Sequence, residues 1–298
     1  MQVHYPCPDC SGEHFAVFHT CRDYLVSGEL FELARCRQCQ MVITQQPPPA
    51  NEIGSYYKSE QYVSHSDTKK GVFFRLYHLA RYFMLRAKQR LVVQYSHQQT
   101  GNLLDWGCGT GYFLRTMQQA GWQVEGIEAD SDARNYAHQK FDLPVIAPDS
   151  IEQLPDNQYD CISFWHVLEH LHNLAGTITQ VKRLLKKPQG IVIVALPNQQ
   201  SYDAWYYGRY WAAWDVPRHL WHFAPPNIER LMAAHGFHLV HKQTMPFDPF
   251  YVSLLSEKYR GKRWGFINGI VQGAISLVKG YLDVNRSSSI IYIFSLNQ

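Results

Sequence analysis

From Asn102 onward the chain alternates short apolar runs with segments whose apolar residues recur every three or four positions. The runs at 102–106, 123–128, 144–147, 159–164, 190–196, 237–244 and 290–296 predict strands. Helical spacing falls near 111–120, 131–140, 174–186 and 226–235. This alternation predicts an α/β domain with a seven-stranded, mostly parallel sheet covered by helices on both faces. Gly121, Gly190 and Gly236 stand between helix ends and the next strands, where a helix C-terminus favours glycine. Upstream the pattern changes. Short β-like runs at 15–18 and 41–44 precede Pro47-Pro48-Pro49, which ends regular structure. Between Phe73 and Val93 the apolar residues return at near-helical spacing, interleaved with Arg75, Arg81, Arg86, Lys88 and Arg90. The organisation read from this is a small amino-terminal module at 1–46, a linker and pocket-capping helix at 47–98, and a main domain at 99–298. The main domain carries insertions at 198–224 and 249–285.

Composition narrows the class. With 46% hydrophobic and 18% charged residues the chain is globular, and a net charge of +3 gives no argument for nucleic acid as a partner. The first nine residues lack the basic start and apolar stretch of a secretory signal. Four of the 7 cysteines form two CxxC pairs, Cys7/Cys10 and Cys36/Cys39. Without a secretory signal that pattern predicts reduced thiols and a cytoplasmic location. Two CxxC turns separated by strands supply four thiolates for a structural Zn2+ site. The alternative is two unrelated thiol pairs, or a redox pair.

The sharpest chemical signal is Leu103-Leu104-Asp105-Trp106-Gly107-Cys108-Gly109-Thr110-Gly111, an apolar strand running into a glycine-rich turn and a helix. Glycines allow the tight turn and close backbone approach to a ligand. A carboxylate at Asp105 would repel a pyrophosphate but can pair with the ammonium of an amino acid, which argues against a dinucleotide oxidoreductase. The next strand ends in Glu128, placed to accept hydrogen bonds from ribose hydroxyls. A plain strand–turn–helix corner is the bland alternative.

Over residues 100 to 245 these features resemble the class I S-adenosylmethionine-dependent methyltransferases, which implies a Rossmann-like fold and that cofactor. By resemblance, Asp105, Gly107, Cys108, Gly109 and Gly111 contact the methionine part of the cofactor. Glu128 and Ala129 hold the ribose, and Asp149 and Ser150 lie by the adenine. Tyr57 resembles an aromatic residue that covers the cofactor. The stretch Phe164-Trp165-His166-Val167-Leu168-Glu169-His170 resembles the family's VLEH segment, placing Trp165 or His166 near the methyl end and Glu169 and His170 by the substrate. Methyl transfer needs an aligned nucleophile and removal of its proton, so His166 is a candidate base. His166, Glu169 and His170 lack HExxH spacing, so no metal is expected there.

Asn198 is a further substrate candidate, and the aromatic insertion after it ends in Asp215-Val216-Pro217-Arg218-His219-Leu220-Trp221-His222-Phe223. That resembles the DxPRHLxHF segment of a methyltransferase subgroup acting on sugars, lipids or other envelope precursors. Arg218 is a candidate fork for a phosphate or carboxylate; His219 and His222 are candidate bases or substrate contacts. The expected function is methyl transfer to a small-molecule acceptor, such as a nucleotide- or lipid-linked sugar. The alternatives are an RNA or protein methyltransferase reading through its zinc module, and a non-catalytic cofactor-binding module. The apolar stretch 264–282 predicts a packed helix, or one lying at a membrane surface or against a lipid-linked substrate. The sequence leaves the oligomeric state open.

Overall fold

The computed structural model describes residues 6–57 and 72–296; the linker residues 58–71, part of the expected pocket cap, lie outside the described residues. The strands in chain order are β1 (Phe15–Arg22), β2 (Leu30–Cys36), β3 (Val42–Thr44), β4 (Asn102–Trp106), β5 (Gln123–Ile127), β6 (Val145–Ile146), β7 (Cys161–Trp165), β8 (Ile191–Pro197), β9 (Trp221–His222), β10 (Phe237–Thr244) and β11 (Ser289–Leu296). The α-helices are α1 (Val72–Ser96), α2 (Tyr112–Gln119), α3 (Ser131–Phe141), α4 (Leu174–Leu184), α5 (Tyr202–Tyr207), α6 (Pro225–Ala234), α7 (Asp248–Arg260) and α8 (Gly265–Leu282).

Among the described residues two sheets form. The larger has seven strands in the order β10-β11-β8-β7-β4-β5-β6, with β11 antiparallel to both its neighbours and the other pairs parallel. Its central strands are apolar on both faces because each face is covered. Period-two alternation divides them between two cores. Leu104, Trp106, Ile162, Phe164, Val192 and Val194 join the core that includes α4 and α6. Leu103, Cys161, Ile191, Ile193, Ile291 and Ile293 join the core holding Leu91 and Val92 of α1 and Phe113 and Met117 of α2.

The smaller sheet runs β1-β2-β3-β9. Its fourth strand comes from the aromatic insertion, with Val42 opposite His222 and Ile43 opposite Trp221. Met41, Ile43 and Cys36 share one apolar core with Phe223 and Ile228. Asp9, in the first CxxC turn, accepts hydrogen bonds from Asn227 and Arg230 of α6. The cysteine-bearing segment is therefore fastened to the large domain by a strand pairing, a shared core and a polar clasp. The insertion 249–285 folds as the packed pair α7 and α8. Gly269 and Gly273 of α8 bring it so close to α7 that a Cβ there would sit 3.0 Å from Leu254 Cα and 2.9 Å from Phe250 Cα.

Candidate active site

The glycine turn connects β4 to α2 at the carboxyl end of the sheet, where open α/β folds bind ligands. Gly107, Gly109 and Gly111 all have positive φ, 70°, 53° and 81°. Their surroundings differ. A Cβ on Gly107 would meet Val167 Cγ2 at 2.5 Å, and one on Gly111 would meet Leu143 Cδ1 at 2.7 Å. Gly109 has nothing within 4 Å of that position, so its backbone is the open face of the cradle.

Parallel pairing sets Asp105 of β4 beside Ser163 of β7 on the same face, and Ser163 Oγ donates to Asp105 Oδ1 at 2.6 Å. The carboxyl is 2% exposed. Burial pushes its pKa up to about 7, against the lowering effects of the Ser163 bond and the Lys88 charge. Lys88, on α1, lies 4.1 Å above the Trp165 ring, and its burial lowers its own pKa to about 8. A desolvated carboxyl with one hydroxyl donor suits a ligand ammonium. Glu128 ends β5's run and receives the N–H groups of Gly109 at 2.8 Å and Asp130 at 2.9 Å, which fixes the acid at the rim of the turn. Ala129 and Asp149 are exposed, and Ser150 and Cys108 are half-buried.

Beyond β7 the chain turns sharply at His166, whose φ is +59°, a conformation that a non-glycine residue holds only under tertiary constraint. Carboxylates supply part of it. His166 Nε2 lies 3.2 Å from Asp248 Oδ2 at the start of α7, and Nδ1 lies 3.5 Å from Glu169 Oε1. Burial opposes charge on this ring, but the two acids outweigh it and raise its pKa to about 10. With both nitrogens facing carboxylates the ring is held toward its protonated form, which works against the base role expected for it.

Glu169 is 1% exposed, and neither of its oxygens has a hydrogen-bond partner among the described residues. His170 and His219 adjoin it, their rings edge-to-face at 4.5 Å. Burial lowers both to about 4, so both are neutral at pH 7. His170 Nδ1 lies 3.0 Å from the Arg218 carbonyl and 2.9 Å from Tyr57 Oη. His219 Nδ1 lies 2.9 Å from the Ala213 carbonyl.

Three expected contacts have other tasks in the structure. Arg218 is 1% exposed, with its guanidinium held by Asp215, Asp23 and the Tyr56 carbonyl; it is a buried strut rather than an open fork. His222 is 4% exposed, and its Nε2 meets Thr44 Oγ1 at 3.0 Å, tying β9 to β3; it is sealed inside the smaller sheet. Asn198 donates to the carbonyls of Asn285 and Ser287 and so anchors the start of β11. Sequence reasoning missed Lys88, Ser163 and Asp248. Strand register could have found Ser163, whereas Asp248 reaches His166 only through the fold.

At the other end of the smaller sheet Cys7, Cys10, Cys36 and Cys39 gather. Each offers a sulfur within 4.8 Å of the others, with Cys7–Cys39 at 3.4 Å and Cys10–Cys36 at 3.6 Å. A separate open concavity is lined by Arg22, Leu30, Phe31, Pro48 and Tyr56 and shares no residue with the glycine turn.

A seven-stranded sheet with β11 reversed, a glycine cradle at its carboxyl end and the acids Asp105 and Glu128 beside it fit an S-adenosylmethionine-dependent methyltransferase. The methyltransferase domain family matches residues 76–242, more than half of the chain, and this protein belongs to that family. It is 26% identical over 168 residues to the ubiquinone biosynthesis O-methyltransferase of Burkholderia vietnamiensis, covering 52% of this chain and 72% of that one. It is 25% identical over 168 residues to the malonyl-[acyl-carrier protein] O-methyltransferase of Yersinia pestis, covering 55% of this chain and 61% of the relative. The [4+2]-cyclase SpnF shares the fold at a TM-score of 0.50 and 19% identity, over 70% of this chain and 80% of that one. So does a chain from the complex of the Haloferax volcanii Trm112 methyltransferase activator, at 0.52 and 12%, over 71% and 88%.

Proposed function

We propose that the protein transfers a methyl group to an oxygen atom of a small-molecule acceptor. The carrying observation is the contact of two half-sites: the cradle around Asp105 and Gly109, and the His166–Glu169–His170–His219 group, joined where Val167 packs on Gly107. Bound S-adenosylmethionine supplies an electrophilic methyl carbon on a sulfonium. Asp105 pairs with the ammonium of its amino-acid part, Glu128 takes its ribose, and the Gly109 backbone lies against it. Asp149 and Ser150 stand at its adenine. Trp165 and Lys88 wall the site on the α1 side. Glu169, His170 and His219 face the acceptor and are where its hydroxyl loses its proton. Oxygen as the acceptor atom is supported by two relatives named as O-methyltransferases.

The acceptor class to screen is the nucleotide- or lipid-linked sugars and other envelope precursors that the DxPRHLxHF segment implies. An amphiphilic acceptor is also supported by α8 and the residue before it, which leave Trp264, Phe266, Ile267, Val278, Tyr281 and Leu282 exposed, with Lys262 and Arg263 just upstream. Among the described residues no helix is long and apolar enough to cross a membrane. The four cysteines are proposed to hold a structural Zn2+, a reading supported by the grouping of their sulfurs within 4.8 Å of one another. The test is calorimetric titration with S-adenosylhomocysteine, followed by labelled methyl transfer to hydroxyl and carboxyl acceptors. Saturable binding with transfer to oxygen supports the reading; binding with transfer only to nitrogen or carbon overturns it.

A further inference from the structure

Glu169, His170 and His219 are brought together from two places in the chain. The first two sit in a single turn after β7. His219 arrives at the end of the aromatic insertion, held by the pairing of β9 with β3. One ligand-type atom from each lies within 4.8 Å of the others. The two histidines are oriented alike. Each turns Nδ1 to a backbone carbonyl, of Arg218 and of Ala213. His170 Nδ1 also lies 2.9 Å from Tyr57 Oη, and His219 Nε2 lies 3.8 Å from Asp215 Oδ2. A ring that donates from Nδ1 to its carbonyl keeps the lone pair on Nε2, as the outer hydrogen bond of a metal-binding histidine does. The third member is a carboxylate 1% exposed whose two oxygens find no hydrogen-bond donor among the described residues. A buried carboxyl calls for hydrogen-bond donors or a cation beside its oxygens. The ring facing it, His166, stands 3.5 Å from one oxygen only and is shared with Asp248.

We infer that Glu169, His170 and His219 form a binding site for a divalent first-row metal ion. Two imidazoles and one carboxylate are a donor set for Mn2+, Fe2+ or Zn2+ and too nitrogen-rich for Ca2+ or Mg2+. Bonds of about 2.1 Å hold ligands up to about 4.2 Å apart across an ion, so small side-chain rotations close the set. The remaining coordination positions take water or the acceptor. This site deepens the methyl-transfer reading and rests on it. A metal there would lower the pKa of an acceptor hydroxyl ligated to it, so that the proton could pass to solvent without the three side chains acting as the base.

The test is a Mn2+ titration followed by electron paramagnetic resonance on protein purified with the zinc of its four cysteines retained. Glu169→Gln and His219→Asn are run alongside, and each protein is also titrated with S-adenosylhomocysteine. The expected result is one Mn2+ per chain, weakened at least about tenfold in both variants, with S-adenosylhomocysteine affinity unchanged. Unchanged cofactor affinity shows that both variants fold, and Glu169→Gln preserves shape, so lost Mn2+ binding reports lost ligands. No bound Mn2+, or Mn2+ binding indifferent to both substitutions, overturns the site. Failure of the wild type to bind S-adenosylhomocysteine contradicts the methyl-transfer reading instead and leaves the metal result to stand by itself.

Discussion

Replacing Asp105 with asparagine keeps the side chain's shape and its bond from Ser163 but removes its charge. In the unliganded protein that charge is unfavourable. Burial lifts the carboxyl from 3.8 to about 7, which corresponds to roughly 4 kcal/mol against the ionised form above pH 7. The folded protein therefore holds a proton on Asp105 that the unfolded chain loses near pH 4, so this residue lowers stability as pH rises from about 4 to about 7. Asp105→Asn is expected to abolish that slope and to leave the unliganded protein, at pH 8, as stable as wild type or more so by up to roughly 4 kcal/mol. The same change should remove the partner of the ligand ammonium, costing about 2–5 kcal/mol of binding, or roughly 30-fold or more in Kd. Urea denaturation across pH 4 to 8 reads the first effect, and calorimetry with S-adenosylhomocysteine reads the second. Unchanged affinity, or a loss of stability at pH 8, would refute the assignment of Asp105 as a desolvated ammonium acceptor.

Gly109→Ala and Gly111→Ala should separate binding from folding. Both carry about 1–2 kcal/mol of left-handed strain; only Gly111→Ala also meets Leu143 and Ala137. Gly109→Ala is expected to fold and bind S-adenosylhomocysteine poorly, and Gly111→Ala to lose more stability, as measured by thermal denaturation. Asp23→Asn removes a charge paired with the buried Arg218 and is expected to cost about 3–5 kcal/mol; a urea midpoint close to wild type would contradict the strut role. Chelation should release one equivalent of zinc per chain and lower the melting temperature, because Cys7 and Cys36 lie in the core shared with Phe223. A melting temperature indifferent to the chelator would contradict that.

The large sheet was legible because its strands are continuous apolar runs separated by helical periods. Strand ends from 102 to 296 moved by no more than about two residues between expectation and structure, the uncertainty inherent in such boundaries. The glycine turn and its acids were legible for the same reason: they are contiguous, and local spacing carries their geometry. What the pattern could not carry was pairing across the chain. The insertion 198–224 reads as an aromatic loop, and nothing in it announces that Trp221 and His222 close a sheet begun at Phe15. Arg218 reads as an anion fork because its neighbours suit one; Asp23 lies far upstream, and its pairing is visible only once β1 packs beside the insertion. Glu169 and His170 are adjacent and lack a familiar metal spacing, and His219, the third residue of the proposed site, enters from another segment. The helix pair α7 and α8 was half legible: the apolar stretch of α8 stood out, while α7 begins at a Phe-Asp-Pro sequence with little helical patterning.

The most direct test is equilibrium dialysis of labelled S-adenosylmethionine against the wild-type protein and Asp105→Asn. One saturable equivalent per chain in the wild type, weakened in the variant, is the predicted result. Absence of saturable binding, or equal binding by both, would contradict the account.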